Sequence, residues 1–202
     1  MSYKFLELVA TPSVRAVQAE HGSLAMWDGL EVDRDSDRFT DGEAAFIAAR
    51  DSFYLASVSE TGWPYVQHRG GPPGFLQLID DRTLGFADFR GNRQYISTGN
   101  ARANDRVALM LMDYPNRTRL KILAHLSVRA VSEDEELASR LVVPGYKGKP
   151  QSLFVLRLEA FDWNCPQHIT PRFTTDEVDR VLAPLRDRNA ALELEIAQLR
   201  RP

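Results

Sequence analysis

The sequence lacks most of the features that would assign it a class at once. Its 202 residues hold a single cysteine, Cys165. No internal disulfide can form, and no CxxC or Cys/His spacing supports a zinc module. No apolar run approaches the length of a membrane span. The short apolar N-terminus carries Lys4 and Glu7, too brief and too charged a stretch for a secretory leader. No GxGxxG dinucleotide fingerprint appears. A formal net charge of -3 and a pI near 5.8 argue against a general nucleic-acid binder. Together these absences give the expectation of a soluble, cytoplasmic protein that engages neither membrane nor nucleic acid.

What is present is a domain-sized supply of apolar residues, 44% of the chain against 26% charged, enough for one compact core. The cations are local. Between Tyr65 and His125 stand Arg69, Arg82, Arg90, Arg93, Arg102, Arg106, Arg117, Arg119 and Lys121, against only Asp80, Asp81, Asp88, Asp105 and Asp113. Within this stretch Gln67-His68-Arg69-Gly70-Gly71, Asp88-Phe89-Arg90-Gly91-Asn92-Arg93-Gln94 and Arg117-Thr118-Arg119-Leu120-Lys121 punctuate short apolar runs. Arginine offers a planar fork of donors to phosphate oxygens, and glycine lets backbone N–H groups approach without a Cβ in the way. The pattern points to a phosphorylated cofactor.

Thr11-Pro12 reads as an N-cap followed by proline at the first helical position, with Gly22 as the stop. Thr40-Asp41-Gly42-Glu43 has capping-box spacing and predicts a helix to about residue 49, and 24–39 reads as loop. From residue 50 the pattern is β, with strands predicted over 52–57, 65–69, 75–79, 83–88, 107–113, 119–131 and 152–163. Tight turns between close strands favour an antiparallel sheet closing into a barrel over βαβ repetition. The fold class is therefore mainly β with peripheral helices. One helix is expected over 92–100, its N-terminus offering free N–H groups to a phosphate beside Arg90 and Arg93. A second capping box at Ser132 predicts a helix to about residue 141.

The C-terminal segment carries a separate signal. Val178, Leu182, Leu185, Asn189, Leu192, Ile196 and Leu199 are spaced alternately by four and three, with leucines at d and Asn189 at a. Arg188 would face a partner's Glu193, and Glu195 its Arg200. Pro184 is expected to start or kink the helix. Two readings stay open: a coiled coil between two copies, or an apolar stripe packed on the chain's own barrel.

Residues 67–75, 86–95 and 119–122, with Trp163-Asn164-Cys165-Pro166-Gln167-His168-Ile169, resemble the pyridoxamine 5'-phosphate oxidase-related family of FMN-binding split-barrel flavoproteins over about residues 45–172. The resemblance implies an antiparallel split barrel over 51–172, and the helix signals on either side add a helical N-terminal extension (1–50) packed on it and a C-terminal helix (173–202). It implies a homodimer with FMN at the subunit interface. Gln67, His68, Arg69 and Gly70 would line the flavin ring and ribityl chain, followed by Asp88. Asn92, Arg93, Gln94 and Ser97 would hold the phosphate end, with Arg119 and Lys121 arriving from an adjacent strand. Asn164, Cys165, Pro166 and Gln167 would approach from the partner subunit. Arg119 or Lys121 near the N1 and O2 edge would favour the reduced flavin.

Other residues have plainer readings. Arg82, Arg102 and Arg106 read as solvated, Trp63 and Trp163 as packing, and His168 as orienting a loop. His68 also has a reading as a satisfied structural histidine, and Cys165 as a small buried hydrophobe. The arginine and histidine pattern with which true pyridoxamine phosphate oxidases hold their substrate is absent from the C-terminal segment. The resemblance thus implies an FMN-dependent oxidoreductase of another substrate, with NAD(P)H as a transient donor. A non-catalytic flavin carrier, a heme-handling relative and a barrel without ligand are the alternatives, and a deazaflavin is the alternative cofactor.

Overall fold

A computed structural model describes residues 3–27, 37–163 and 166–200. Three short helices lead the chain: α1 (Tyr3–Val9), α2 (Pro12–Glu20) and α3 (Leu24–Trp27). Thr11 caps α2 by accepting from the Val14 N–H, and Gly22 turns the chain at φ 68°. α3 falls where loop was expected, and residues 28–36 of that predicted loop lie outside the described residues. In α4 (Asp41–Ala48) the capping box forms as read: the Thr40 N–H donates to Glu43 at 3.0 Å and the Gly42 N–H donates to the Thr40 hydroxyl at 3.3 Å.

Seven strands follow: β1 (Ser52–Val58), β2 (Pro64–Gly70), β3 (Gln77–Asp80), β4 (Thr83–Phe89), β5 (Arg106–Asp113), β6 (Thr118–Ala130) and β7 (Pro150–Trp163). Every pairing is antiparallel, in the order β2-β1-β5-β6-β7-β4-β3. The side chains of β5 alternate between buried and more exposed, so Val107, Leu109 and Leu111 face a core shared with Phe53, Leu55, Leu120, Ile122, Phe154 and Leu156. Each such side chain contributes about 1.5–3 kcal/mol by leaving water. Phe86 on β4 meets Phe154 at 5.0 Å and also Phe53 on β1 at 5.4 Å between ring centroids.

That last contact shows how the sheet curls. β2 and β4 stand five places apart in the strand order, yet Arg69 on β2 and Asp88 on β4 form an ion pair at 2.5 Å. The sheet bends round until its first and sixth strands meet across a seam that no backbone ladder closes.

Helices α5 (Ile96–Ala103) and α6 (Glu135–Leu141) lie against the barrel, and α7 (Thr175–Leu199) ends the described chain. The helix expected over 92–100 begins four residues later, because Asn92 makes an Asx turn instead: its side-chain oxygen accepts from the Gln94 N–H at 3.2 Å. The predicted cap Ser132 lies in a 3₁₀ turn, and Asp134 caps α6 by accepting from the Leu137 N–H at 3.0 Å. α7 begins nine residues before Pro184, not at it, with its own capping box of Thr174 and Glu177, and it runs through the proline.

Candidate functional site

The seam between β2 and β4 opens onto a hollow of about 250 Å³. Strand alternation points Tyr65, Gln67 and Arg69 into it from β2, while Asp88 and Phe89 come from the end of β4. The loop after β4 closes one side with Gly91, Asn92, Arg93 and Gln94, and Gln151 of β7 closes another. Arg69 is mostly buried, its guanidinium lying 5.0 Å from the Phe154 ring centroid, and its Nε has no hydrogen-bond partner. Burial pushes the Asp88 carboxyl above its ordinary range, an effect that the Arg69 charge opposes without cancelling.

The backbone here is held in an uncommon form. Arg93 (φ 64°) and Tyr95 (φ 53°) both occupy the left-handed region although neither is glycine. Such residues cost of order 1 kcal/mol each and collect at functional sites. Tyr95 is the N-cap of α5 and provides no side-chain bond to the first-turn N–H groups. Ile96 and Thr98 of that first turn line the hollow. The helix end therefore presents uncapped donors and a positive dipole end beside the Arg93 guanidinium. Chemically, the arrangement can take an anion with several acceptor oxygens.

Of the residues predicted from sequence, Gln67, Arg69, Asp88, Asn92, Arg93 and Gln94 come together around this hollow. Ser97 is buried on α5 and donates to the Gln67 side chain at 3.1 Å, tying helix to strand. His68 and Gly70 border an adjoining hollow of about 140 Å³ with Phe75, Phe86 and Ala87. Arg119 and Lys121 do not reach either hollow within one chain. Register puts them on the opposite face of the sheet, in rows with Met112 and Met110. Lys121 there pairs with the buried Asp162 at 2.7 Å and lies over the Phe5 ring at 4.7 Å. Pro166 and Gln167 are exposed beyond the end of β7, and Asn164 and Cys165 lie outside the described residues.

Two plainer readings need correction. Trp63 is 75% exposed and packs no core, whereas Trp163 donates to Glu43 at 2.6 Å and stacks edge-on to Phe46. Arg82 is not simply solvated; it is half-buried and ion-paired with Asp37. Tyr65, Tyr95 and Gln151 were missed as site residues. Period-two alternation from Gln67 would have found Tyr65. Gln151, which donates to the Tyr95 hydroxyl, has no local signal, because only the pairing of β7 with β4 brings it there.

Among known proteins, residues 39–161 match the family model described as Pyridoxamine 5'-phosphate oxidase. A Lactobacillus delbrueckii structure provisionally named a pyridoxamine 5'-phosphate oxidase is 20% identical, with 63% of this chain and 96% of that one covered at a TM-score of 0.48. HupZ of Group A Streptococcus is 14% identical, with 67% and 99% covered at 0.47. An FMN-binding protein of Syntrophomonas wolfei is 16% identical, with 76% and 97% covered at 0.43. A search among curated proteins finds no match. The structural likenesses are too distant to carry an argument, but the family match extends from Phe39 to Phe161, over α4, all of β1–β6 and nearly all of β7. With more than half of its residues matched and the seven-stranded antiparallel barrel formed, the chain belongs to the pyridoxamine 5'-phosphate oxidase family, whose fold is the FMN-binding split barrel.

Proposed function

We propose that the protein is an FMN-dependent oxidoreductase that works as a homodimer. The observation that carries this reading is the uncapped N-terminus of α5, set beside Arg93 in a hollow that already holds Gln67 and Arg69. The donor set fits a flavin phosphate: first-turn N–H groups, a guanidinium and two side-chain amides, with the partnerless Nε of Arg69 beside them. Bound there, FMN would supply hydride and electron transfer. Arg93, Asn92 and Gln94 would hold the phosphate end, and Gln67, braced by Ser97, would orient the chain leading away from it.

A hollow of about 250 Å³ is smaller than the ~300–1,000 Å³ usual for a small-molecule site. It fits half of a site whose other wall is a second copy. The opposite face of the sheet supports this, since Val66 (62%) and Met110 (38%) are exposed there. On this reading His68, Arg119 and Lys121 would serve the ring from that face. The missing C-terminal arginine and histidine pattern favours a substrate other than vitamin B6 phosphate, and NAD(P)H would be a transient donor.

Titration of the ligand-stripped protein by flavin fluorescence tests the reading. FMN is expected to bind at least 100-fold more tightly than riboflavin, and Arg93→Ala to remove most of that difference, a loss of about 1.5–3 kcal/mol for charge-assisted bonds. Equal affinity for FMN and riboflavin would contradict the phosphate seat. Flavin-dependent oxidation of NAD(P)H separates an enzyme from a carrier.

A further inference from the structure

We propose that α7 is one half of a parallel, in-register, two-stranded coiled coil, and that the occupant of its apolar stripe is α7 of a second copy. This rests on the homodimer reading above and adds an element to it. No residue of α7 is buried. Its stripe is left largely to solvent instead, with Leu185 61% and Leu199 79% exposed, Val178, Leu192 and Ile196 also exposed, and Leu182 half-buried. The alternative of packing on its own barrel is thus not taken along the 25 residues of the helix.

The stripe has the chemistry of a seam between identical helices. Val178, Leu185, Leu192 and Leu199 fall at d, and Leu182, Asn189 and Ile196 at a. Leucine at d with an isolated asparagine at a favours two parallel strands, because only that arrangement sets the two Asn189 amides against each other. The flanking charges are complementary in the same arrangement: Arg188 at g faces Glu193 at e of the other copy, and Glu195 faces Arg200. Pro184 falls at c, away from the seam, so the ring that it places in the helix does not interrupt the contact. Val181 and Leu194 are exposed outside the a and d positions and take no part.

Symmetry agrees as well. Two parallel helices in register share a twofold axis, the operation that relates the copies of a closed dimer. A helix of 25 residues, about 37 Å long, is a marginal coiled coil by itself. Tethered to a barrel that also pairs, it closes at an effective concentration in the millimolar range and tightens the whole dimer.

The test is Leu192→Cys in the full chain, oxidised and mapped by peptide mass so that a disulfide between the two introduced thiols is told apart from any link to Cys165. The proposal expects most chains to be joined through position 192 of both copies. Absence of that link in a protein that sediments as a dimer, or pairing of position 192 with another position, overturns it. The double variant Leu185→Asp/Leu192→Asp reads the two interfaces separately. If both exist, this variant still binds FMN and still dimerises, with Kd weakened by about 10²–10⁴. If the barrels do not pair, it becomes wholly monomeric while the single Leu192→Cys chain still forms its link. If α7 does not pair, its Kd is unchanged.

Discussion

Alternate residues of β2 serve the two faces of the sheet, and the polar side chains lie on the more buried face. Tyr65, Gln67 and Arg69 turn inward, where apolar side chains belong, and are polar or charged. Val66 and His68 turn outward in rows with Ala56 and Ala108, and with Tyr54, Met110 and Lys121, and there Val66 and Met110 are apolar and exposed. Burying charge is costly unless a partner or ligand uses it, and exposing contiguous apolar surface marks a contact. On the reading proposed above, the inner face would take an anion and the outer face a second copy of the chain. A single seven-residue strand contributes to both.

The largest break in this contrast comes on the inner face. Arg69→Ala leaves the mostly buried Asp88 without its cation, and the variant is expected to lose about 3–5 kcal/mol at neutral pH by denaturant unfolding. Removing Arg69 also removes what holds the Asp88 pKa down, so it rises further above the ordinary 3.8. The folded form then holds its proton more tightly than the unfolded form. Both forms lose stability as pH rises above 3.8, but the variant goes on losing it past the parent's folded value, so the deficit grows between the two folded values and is larger at neutral pH than in acid. A deficit that does not change with pH would mean that the pair is not electrostatic.

On the outer face the parallel substitution is Val66→Asp. Because Val66 is 62% exposed, the barrel should keep its stability within about 0.5 kcal/mol. The dimer should weaken by about 1.5 kcal/mol or more, read by sedimentation, since a valine-sized contact is lost and a charge is placed in it. The smallest effect sharpens the contrast from the strained loop. Arg93→Gly relieves the left-handed residue and should stabilise the fold by up to about 1 kcal/mol while weakening FMN binding. A glycine variant that binds FMN as well as the parent would remove Arg93 from the phosphate seat.

Much of the barrel was legible because its signals are local. β4, β5 and β6 were read to within about a residue from runs of strand-forming residues, and the Thr40 capping box from four letters. The start of α5 was misplaced because Asn92 competes for the backbone through its own side chain, which a count of helix formers does not reveal. Arg69 and Arg93 could be picked out because cations and glycines cluster in sequence, whereas Gln67 and Asn92 came only with the family resemblance of the segments that hold them. That Arg69 meets Asp88, and that Arg119 and Lys121 face away from both, follows from sheet curl and register, which are properties of the whole barrel. α7 was readable as a seam, while its exposure became visible only in three dimensions.

The central claim is that this chain carries FMN, and the most direct measurement is the absorbance and mass of the small molecule released on denaturing the purified protein. The account predicts flavin absorbance and the mass of FMN, near one equivalent per chain. A colourless protein that also fails to take up added FMN would contradict it.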